Sequence, residues 1–313
     1  MSLIKKATEL QISKTVKMMI YGQAGMGKTT LALSAPKPLL LDFDNGVKRV
    51  NNAQLADVGI VPIKNWQEVQ QVLRENLSDY ETIVVDTIGK MMDFIIAYRC
   101  GFGTPRIQDW SAINNDFQQF VHTLNDLNKN IIFVAHRDVQ TDGNSRVFVP
   151  ALRPKNYNSI VTELDLLGYV QMRNENGYQK RTITFDPTDV SDGKNTCNMP
   201  SVMNIPAIND VQGNAIAKND FITREVLGRY DKMIYIKENA AKEYQNVLNE
   251  IENGVEQITD AAGANNFLAH IGEYKQHGSS VIIKARDMFS KKVKSLGLVY
   301  DKAKKTYSDP QSE

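Results

Sequence analysis

The sequence predicts an α/β fold: a mostly parallel sheet flanked by helices, followed by a mainly helical C-terminal extension. Three observations lead there. Short runs of β-branched and aliphatic residues alternate with segments whose apolar residues recur at helical spacing, the pattern of strands joined by helical crossovers. A loop with three glycines, "GQAGMGKT" from Gly22 to Thr29, stands between the first such run and the first helix. Beyond about Asp231 the strand pattern stops and a charged helical periodicity takes over, dividing the chain into a core over residues 1–230 and an extension over 231–313.

The elements follow in chain order. "VKMMIYG" from Val16 is an apolar strand that enters the glycine loop, and a helix opens near Thr29. "KPLLLDFD", bounded by Pro36 and Pro38, is a second strand ending in acid. "VGIVPI" is a third, and "WQEVQQVLRENL" places Val69, Val72, Leu73 and Leu77 on one helical face. "YETIVVDTIG" is a β-branched strand ending in Asp86; a helix from about Trp110 to Leu127 then leads into the buried strand "NIIFVAHRD". "LDLLGYVQMRNENGYQKRTITF" reads as two antiparallel strands turning at Asn174 to Gly177. A turn-rich stretch from about Asp186 to Asp220 precedes the extension, where Tyr244, Leu248, Ile251, Val255 and Ile258 alternate by four and three on a packing helix.

Gly22, Gly27, Lys28 and Thr29 fit G-x-x-x-x-G-K-[ST], the phosphate-binding P-loop. The chemistry needs these residues at this spacing. Successive backbone N–H groups must turn inward toward a phosphate, which glycine permits and a Cβ would obstruct. The whole loop, Gly22, Gln23, Ala24, Gly25, Met26, Gly27, Lys28, Thr29 and Thr30, is therefore the candidate nucleotide cradle. Lys28 is placed to reach β/γ-phosphate oxygens, Thr29 to complete a Mg²⁺ shell, and the helix N-terminus to add partial positive charge. Asp86, emerging where an apolar strand meets the sheet's C-terminal edge, is the candidate to hold a Mg²⁺-bound water; a strand-ending Asp also serves as a turn former or helix cap. ATP with Mg²⁺ is the expected ligand. Many ATPases follow this Asp with a glutamate that polarises the attacking water, but Thr87 stands there. Asp42 and Asp44, spaced by two at the end of the preceding strand, are the carboxylates available instead.

Composition excludes several other classes. A net charge of +1 means that any nucleic-acid contact must come from local patches. No apolar run approaches a membrane span and "MSLIKKATEL" lacks a signal-peptide core, so a cytoplasmic location without membrane contact is expected. Cys100 and Cys197 lack metal-ligand spacing and read as reduced packing thiols. No Ser-His-Asp order suggests acyl chemistry.

The order "GQAGMGKT", "LLLDFD", "VGIVPIKNWQEVQQVL", "TIVVDT" and "IIFVAHRD" resembles the RecA-like ATPase core, and within it the phage AAA-domain nucleotide-binding proteins, including core-only single-strand annealing ATPases. The resemblance spans roughly Lys14 to Leu227 and is sparse in motifs outside the P-loop. It implies that Asp44 takes the place of the water-activating glutamate and His136 that of a sensor reading the γ-phosphate. Asp44 is one methylene shorter than glutamate, which implies slow turnover or an intervening water. From the residues alone, Asp44 is equally a turn residue before Asn45-Gly46, and His136 equally a structural strand-end side chain. The resemblance further implies a DNA-dependent oligomer, with single-stranded DNA and a phage or host single-strand binding protein as partners in a bacterial cytoplasm.

For DNA contact, "DVQTDGNSRVFVPALRPKNYNSI" offers Arg146, Arg153 and Lys155 interleaved with Phe148 and Tyr157, and Trp110 is a further stacking candidate; the alternatives are a solvated hairpin and a core tryptophan. Lys180, Arg181 and Lys194 are candidates to reach a neighbouring subunit's ATP. "IIKARDMFSKKVKSLGLVYDKAKKTY" is either a solvated basic face or an electrostatic arm for DNA. The reading is an ATP-hydrolysing RecA-like protein of phage-type recombination or replication. A helicase loader or AAA+ remodeller, a nucleotide kinase, and a non-hydrolysing ATP-sensing scaffold stay open.

Overall fold

The computed structural model describes residues 13–142, 145–175 and 177–310. The N-terminal stretch read above for a leader lies outside the described residues, as does Asn176 in the hairpin turn. Two compact units divide the chain, Ile12–Lys232 and Met233–Glu313.

In the first unit, β1 (Lys17–Gly22) leads into α1 (Lys28–Ala32), followed by β2 (Pro38–Asp42), β3 (Gly59–Pro62), α2 (Trp66–Val72), β4 (Thr82–Asp86), α3 (Ile88–Cys100) and α4 (Asp109–Asp126). Then come β5 (Asn130–Asp142), β6 (Ser145–Pro150), α5 (Pro154–Glu163), β7 (Leu166–Glu175), β8 (Tyr178–Thr184), β9 (Lys194–Asn195) and β10 (Val202–Asn204). The main sheet runs β10-β8-β7-β1-β5-β4-β2-β3. From β7 through β3 every neighbouring pair is parallel, and β8 and β10 extend the sheet antiparallel. This is the mostly parallel, helix-flanked core that the sequence predicts.

The central strands are apolar on both sides because both faces are covered. Alternate residues divide between two cores. Met19, Tyr21, Leu41, Val85 and Phe133 pack beneath α2, α3 and α4, while Met18, Ile20, Leu40, Val84 and Ile132 pack against α1 and the segment around Phe221 to Leu227. Register then fixes where the polar strand ends fall. Gly22 pairs with His136, and Asp86 pairs with both Asp42 and Val134, so four parallel strands bring Gly22, Asp42, Asp86 and His136 to one edge.

Several elements differ from their sequence reading. Helix α2 ends at Val72 rather than near Leu77, since the chain turns at Leu73 to reach β4. Helix α3 went unread, although Ile88, Met91, Met92 and Ile95 recur at helical spacing and are buried. Strand β5 runs on past His136 to form a hairpin with β6.

The second unit contains most of α6 (Gly228–Glu256), α7 (Ala261–His270), α8 (Ser279–Ser295) and a small hairpin of β11 (Val299–Asp301) and β12 (Thr306–Ser308). Leu248, Ile251, Val255 and Ile258 pack against Val281, Ala285, Phe289 and Val293 of α8 in its own apolar core. Among the described residues no helix is long and apolar enough to cross a membrane.

Candidate functional site

The loop after β1 turns on its glycines. Gly25 and Gly27 have φ of 80° and 71°, the left-handed region that glycine enters without a Cβ penalty. At Gly22 a Cβ would stand 2.5 Å from the Val170 carbonyl oxygen of β7, so a side chain cannot fit between the strands there. Gly27 caps α1 without any side-chain hydrogen bond. Helix α1 is only five residues long, so little aligned peptide dipole stands behind the loop. The helix-terminus charge expected from the sequence is thus that of a single short helix.

Around this loop lies a cleft of about 210 Å³ lined by Ala24, Gly25, Gly27, Lys28, Thr29, Thr30, Asp44, Gly46, Arg49, Asp86, Thr87 and His136. The structure thus brings Lys28, Thr29, Asp44, Asp86 and His136 together, with Ala24, Gly25, Gly27 and Thr30 of the loop. Gly22, Gln23 and Met26 shape the loop without lining this cleft. Lys28 is buried and its Nζ donates to the Gln23 carbonyl at 2.9 Å, arching over the loop. Burial lowers the ammonium's pKa, opposed by the carboxylates of Asp86 and Asp44.

Asp86 and Thr29 meet directly: Thr29 Oγ1 donates to Asp86 Oδ2 at 2.5 Å. Burial, opposed by that hydrogen bond and reinforced by Asp42 and Asp44, pushes the Asp86 carboxyl up to about 6. A low-dielectric site crowded with carboxylates favours a counter-cation. The space beside them is kept open by a glycine. A Cβ on Gly46 would lie 3.5 Å from Asp86 Oδ2, 3.6 Å from Thr29 Oγ1 and 3.9 Å from Asp42 Oδ1. Among the described residues no cluster of three or more His, Cys, Asp or Glu gathers to hold a metal. Mg²⁺ needs no such cluster, because phosphate and water normally fill most of its octahedron; one carboxylate and one hydroxyl fit it.

Asp42 and Asp44 have separate roles. Strand β2 ends at Asp42, so the two do not share a strand face as their spacing suggested. Asp42 is buried and accepts from the N–H groups of Gly46 at 2.9 Å, Val47 at 3.2 Å and Asp44 at 3.3 Å, folding the loop back on itself. Asn45, at φ 50°, completes the reversal and leads into the 3₁₀ turn Gly46–Arg49. That turn carries Asp44 into the cleft and brings Arg49 Nη1 within 3.8 Å of its carboxylate. Arg49 was missed in the sequence; its only signal there was a cation shortly after the Asn45-Gly46 turn.

Thr87 also has its explanation. Its hydroxyl accepts from the Lys90 N–H at 3.3 Å as the N-cap of α3, a task suited to a short side chain with an acceptor oxygen. The Asp86–Thr87 peptide is cis. His136, at the end of its register with β1, has its imidazole pKa lowered by burial and then by the Lys28 charge, which favours the neutral ring.

The residues singled out for DNA or for a neighbouring subunit are mostly engaged within the chain. Tyr157 is buried and hydrogen-bonded to the Asp192 carboxylate, which removes it as a stacking platform. Phe148 stacks on Tyr169 with centroids 5.5 Å apart and lies 4.3 Å from the Arg137 guanidinium. The Arg153 guanidinium sits 3.2 Å from the centre of the Trp110 ring. Lys194 Nζ donates to the carbonyls of Val161 and Thr162, and Lys180 pairs with Glu175. Arg181 Nη1 donates to the Met26 carbonyl of its own P-loop at 3.3 Å.

The SPbeta prophage-derived uncharacterized protein YorG of Bacillus subtilis is 25% identical over 154 residues, 42% of this chain, and the match spans only 46% of that relative's length. The structure is similar to a KaiC-like protein of Pyrococcus horikoshii (12% identity, 54% of this chain and 77% of that one, TM-score 0.36). It is also similar to the flagellar accessory protein FlaH of Methanocaldococcus jannaschii (13% identity, 61% and 90%, TM-score 0.35). Residues 14–197, well over half of the 313, match the model of the AAA domain, and the chain belongs to that family of P-loop NTPases.

Proposed function

We propose that this protein binds ATP with Mg²⁺ at the cleft around Gly22–Thr30 and hydrolyses it, and that hydrolysis is coupled to single-stranded DNA in phage-type recombination or replication. The observation that carries the ATPase reading is the convergence of Lys28, Thr29, Asp44, Asp86 and His136 on one cleft. Loop N–H groups and Lys28 hold the phosphates, and Thr29 and Asp86 hold the metal. Mg²⁺ supplies charge neutralisation across the β- and γ-phosphates when bound. Asp44 orients the attacking water and receives its proton, either directly or through a second water, as its short side chain requires. Neutral His136 donates a hydrogen bond at the phosphate end of the cleft.

The DNA part rests on the RecA-like motif order, on the prophage origin of the relative, and on the exposed Arg146 carried by the β5–β6 hairpin. The aromatic faces once available to it are occupied, so phosphate contact rather than base stacking is the mode supported. ATP binding by calorimetry, with turnover measured with and without single-stranded DNA, tests both parts. No ATP binding removes the whole reading. Binding and turnover indifferent to DNA leave an ATPase with another partner. Binding without turnover favours an ATP-sensing scaffold, a reading supported by the Arg49 charge beside Asp44.

A further inference from the structure

On the β8 side of the P-loop a second cleft, of about 540 Å³, is lined by Met26, Met172, Gln179, Arg181, Ile205 and Pro206 among others. Gly25 lines both this cleft and the phosphate cleft, so the two flank the same loop tip. We propose that this second cleft is the nucleobase subsite, with the Arg181 guanidinium as the cationic face against which the base packs; the inference rests on the ATP-site reading above.

Three features support it independently. First, Arg181 carries a desolvated charge that no carboxylate offsets. Its pKa is lowered by burial, no acid among the described residues forms an ion pair with it, and its hydrogen bond is to the neutral Met26 carbonyl at 3.3 Å. A guanidinium so placed is available to an electron-rich ring. Second, Gly27 makes room for it: a Cβ there would collide with the Arg181 guanidinium, so the loop and β8 are fitted to each other at this point. Third, the lining pairs apolar side chains, Met26, Met172, Ile205, Pro206 and Ala207, with the polar Gln179, Lys180, Arg181 and Asn204. Met172 is 43% exposed on this wall, an unbranched polarizable side chain facing open space, and Ile205 and Pro206 lie along it. Gln179 adds an amide that can both donate and accept at a base edge. The size suits a small-molecule subsite.

The experiment compares Mg²⁺-dependent binding of ATP and of inorganic tripolyphosphate, which shares the phosphates and lacks the nucleoside. Wild type should bind ATP more tightly than tripolyphosphate. Arg181→Gln should weaken ATP about tenfold while tripolyphosphate changes less than about twofold, given the worth of a partly desolvated cation–π contact. Met172→Ser, at a half-exposed position with little folding burden, should weaken ATP about threefold and leave tripolyphosphate unchanged. Retained tripolyphosphate binding shows that each variant is folded. Equal affinity of wild type for the two probes overturns the subsite while the phosphate site stands. So does an equal loss of both probes in a folded Arg181→Gln protein, which would make Arg181 a phosphate ligand. Wild type that binds neither probe overturns the ATP reading and this inference with it.

Discussion

Thr29 Oγ1 and Asp86 Oδ2 are joined by a 2.5 Å hydrogen bond that ties the start of α1 to the end of β4. The two side chains assigned to the metal therefore satisfy each other without it. The hydroxyl lowers the cost of a buried carboxylate but does not cancel it, since Asp86 remains pushed up to about 6.

The sign of that shift makes a stability prediction. Between the ordinary carboxylate value and about 6 the folded protein holds a proton that the unfolded chain has lost, so stability falls as pH rises through this window. Asp86→Asn should therefore stabilise the nucleotide-free protein at pH 7.5 by up to roughly 3 kcal/mol, a gain that disappears below about pH 4. The same substitution should abolish Mg²⁺-dependent tightening of nucleotide binding. Thermal unfolding across pH and calorimetry with and without Mg²⁺ check the two halves; a variant less stable at pH 7.5 would contradict the first.

Lys28→Ala should lower ATP affinity or turnover by orders of magnitude, because it removes the ammonium nearest the β/γ-phosphates. Its Nζ donates to the Gln23 carbonyl at 2.9 Å, a bond within the loop itself, so the fold should persist. Wild-type turnover in a folded variant would move the site elsewhere.

Gly46→Ala tests the metal space without replacing a polar group. The added methyl would make ordinary contacts of 3.5 Å and 3.6 Å with Asp86 and Thr29, so the protein should fold. Mg²⁺ dependence should weaken by about tenfold, since a small octahedral ion with its waters tolerates little intrusion. Titration of Mg²⁺ at fixed nucleotide measures it; an unchanged midpoint would place the metal away from Gly46.

Asp44→Asn should spare nucleotide binding and lower turnover by about a hundredfold or more, the usual worth of a positioned base. Its side chain is 27% exposed and lies 3.8 Å from Arg49, so it is anchored loosely enough for the amide to be accommodated. Normal turnover in this variant would require another base.

How far these residues were readable depends on how local their causes are. The P-loop was legible because its glycines answer a backbone demand confined to one turn. Asp86 was legible because a β-branched run ending in acid at a sheet edge is itself local. The separate tasks of Asp42 and Asp44 were not, because they depend on where β2 stops and on three N–H groups turning back to one carboxylate. Arg181 meets Met26 across 155 positions of sequence, and only the pairing of β7 with β1 and β8 brings it there. Tyr157 reads as a stacking residue in sequence, but its hydroxyl is committed to Asp192 in the core. Nothing local distinguishes those fates.

The C-terminal basic segment calls for a different test from truncation. Val281, Ile282, Ala285, Phe289 and Val293 of α8 form the core of the second unit, so deleting the chain from Ser279 would remove that core along with the charges. The cations are at the surface: Lys291 and Lys294 of α8 and Lys302, Lys304 and Lys305 of the β11–β12 turn are exposed, and of these Lys291 pairs with Asp287 at 2.7 Å. Exchanging Lys294, Lys302, Lys304 and Lys305 for glutamine should leave the unit folded, because none of them is buried. If this face holds single-stranded DNA, each lost phosphate contact should reduce the slope of log K against log salt by roughly 0.7. A fully engaged quadruple variant would then lose nearly 3 units of slope, by about the same reckoning. ATP binding in the absence of DNA should not change. An unchanged salt slope in the folded quadruple variant would make these lysines ordinary solvated surface.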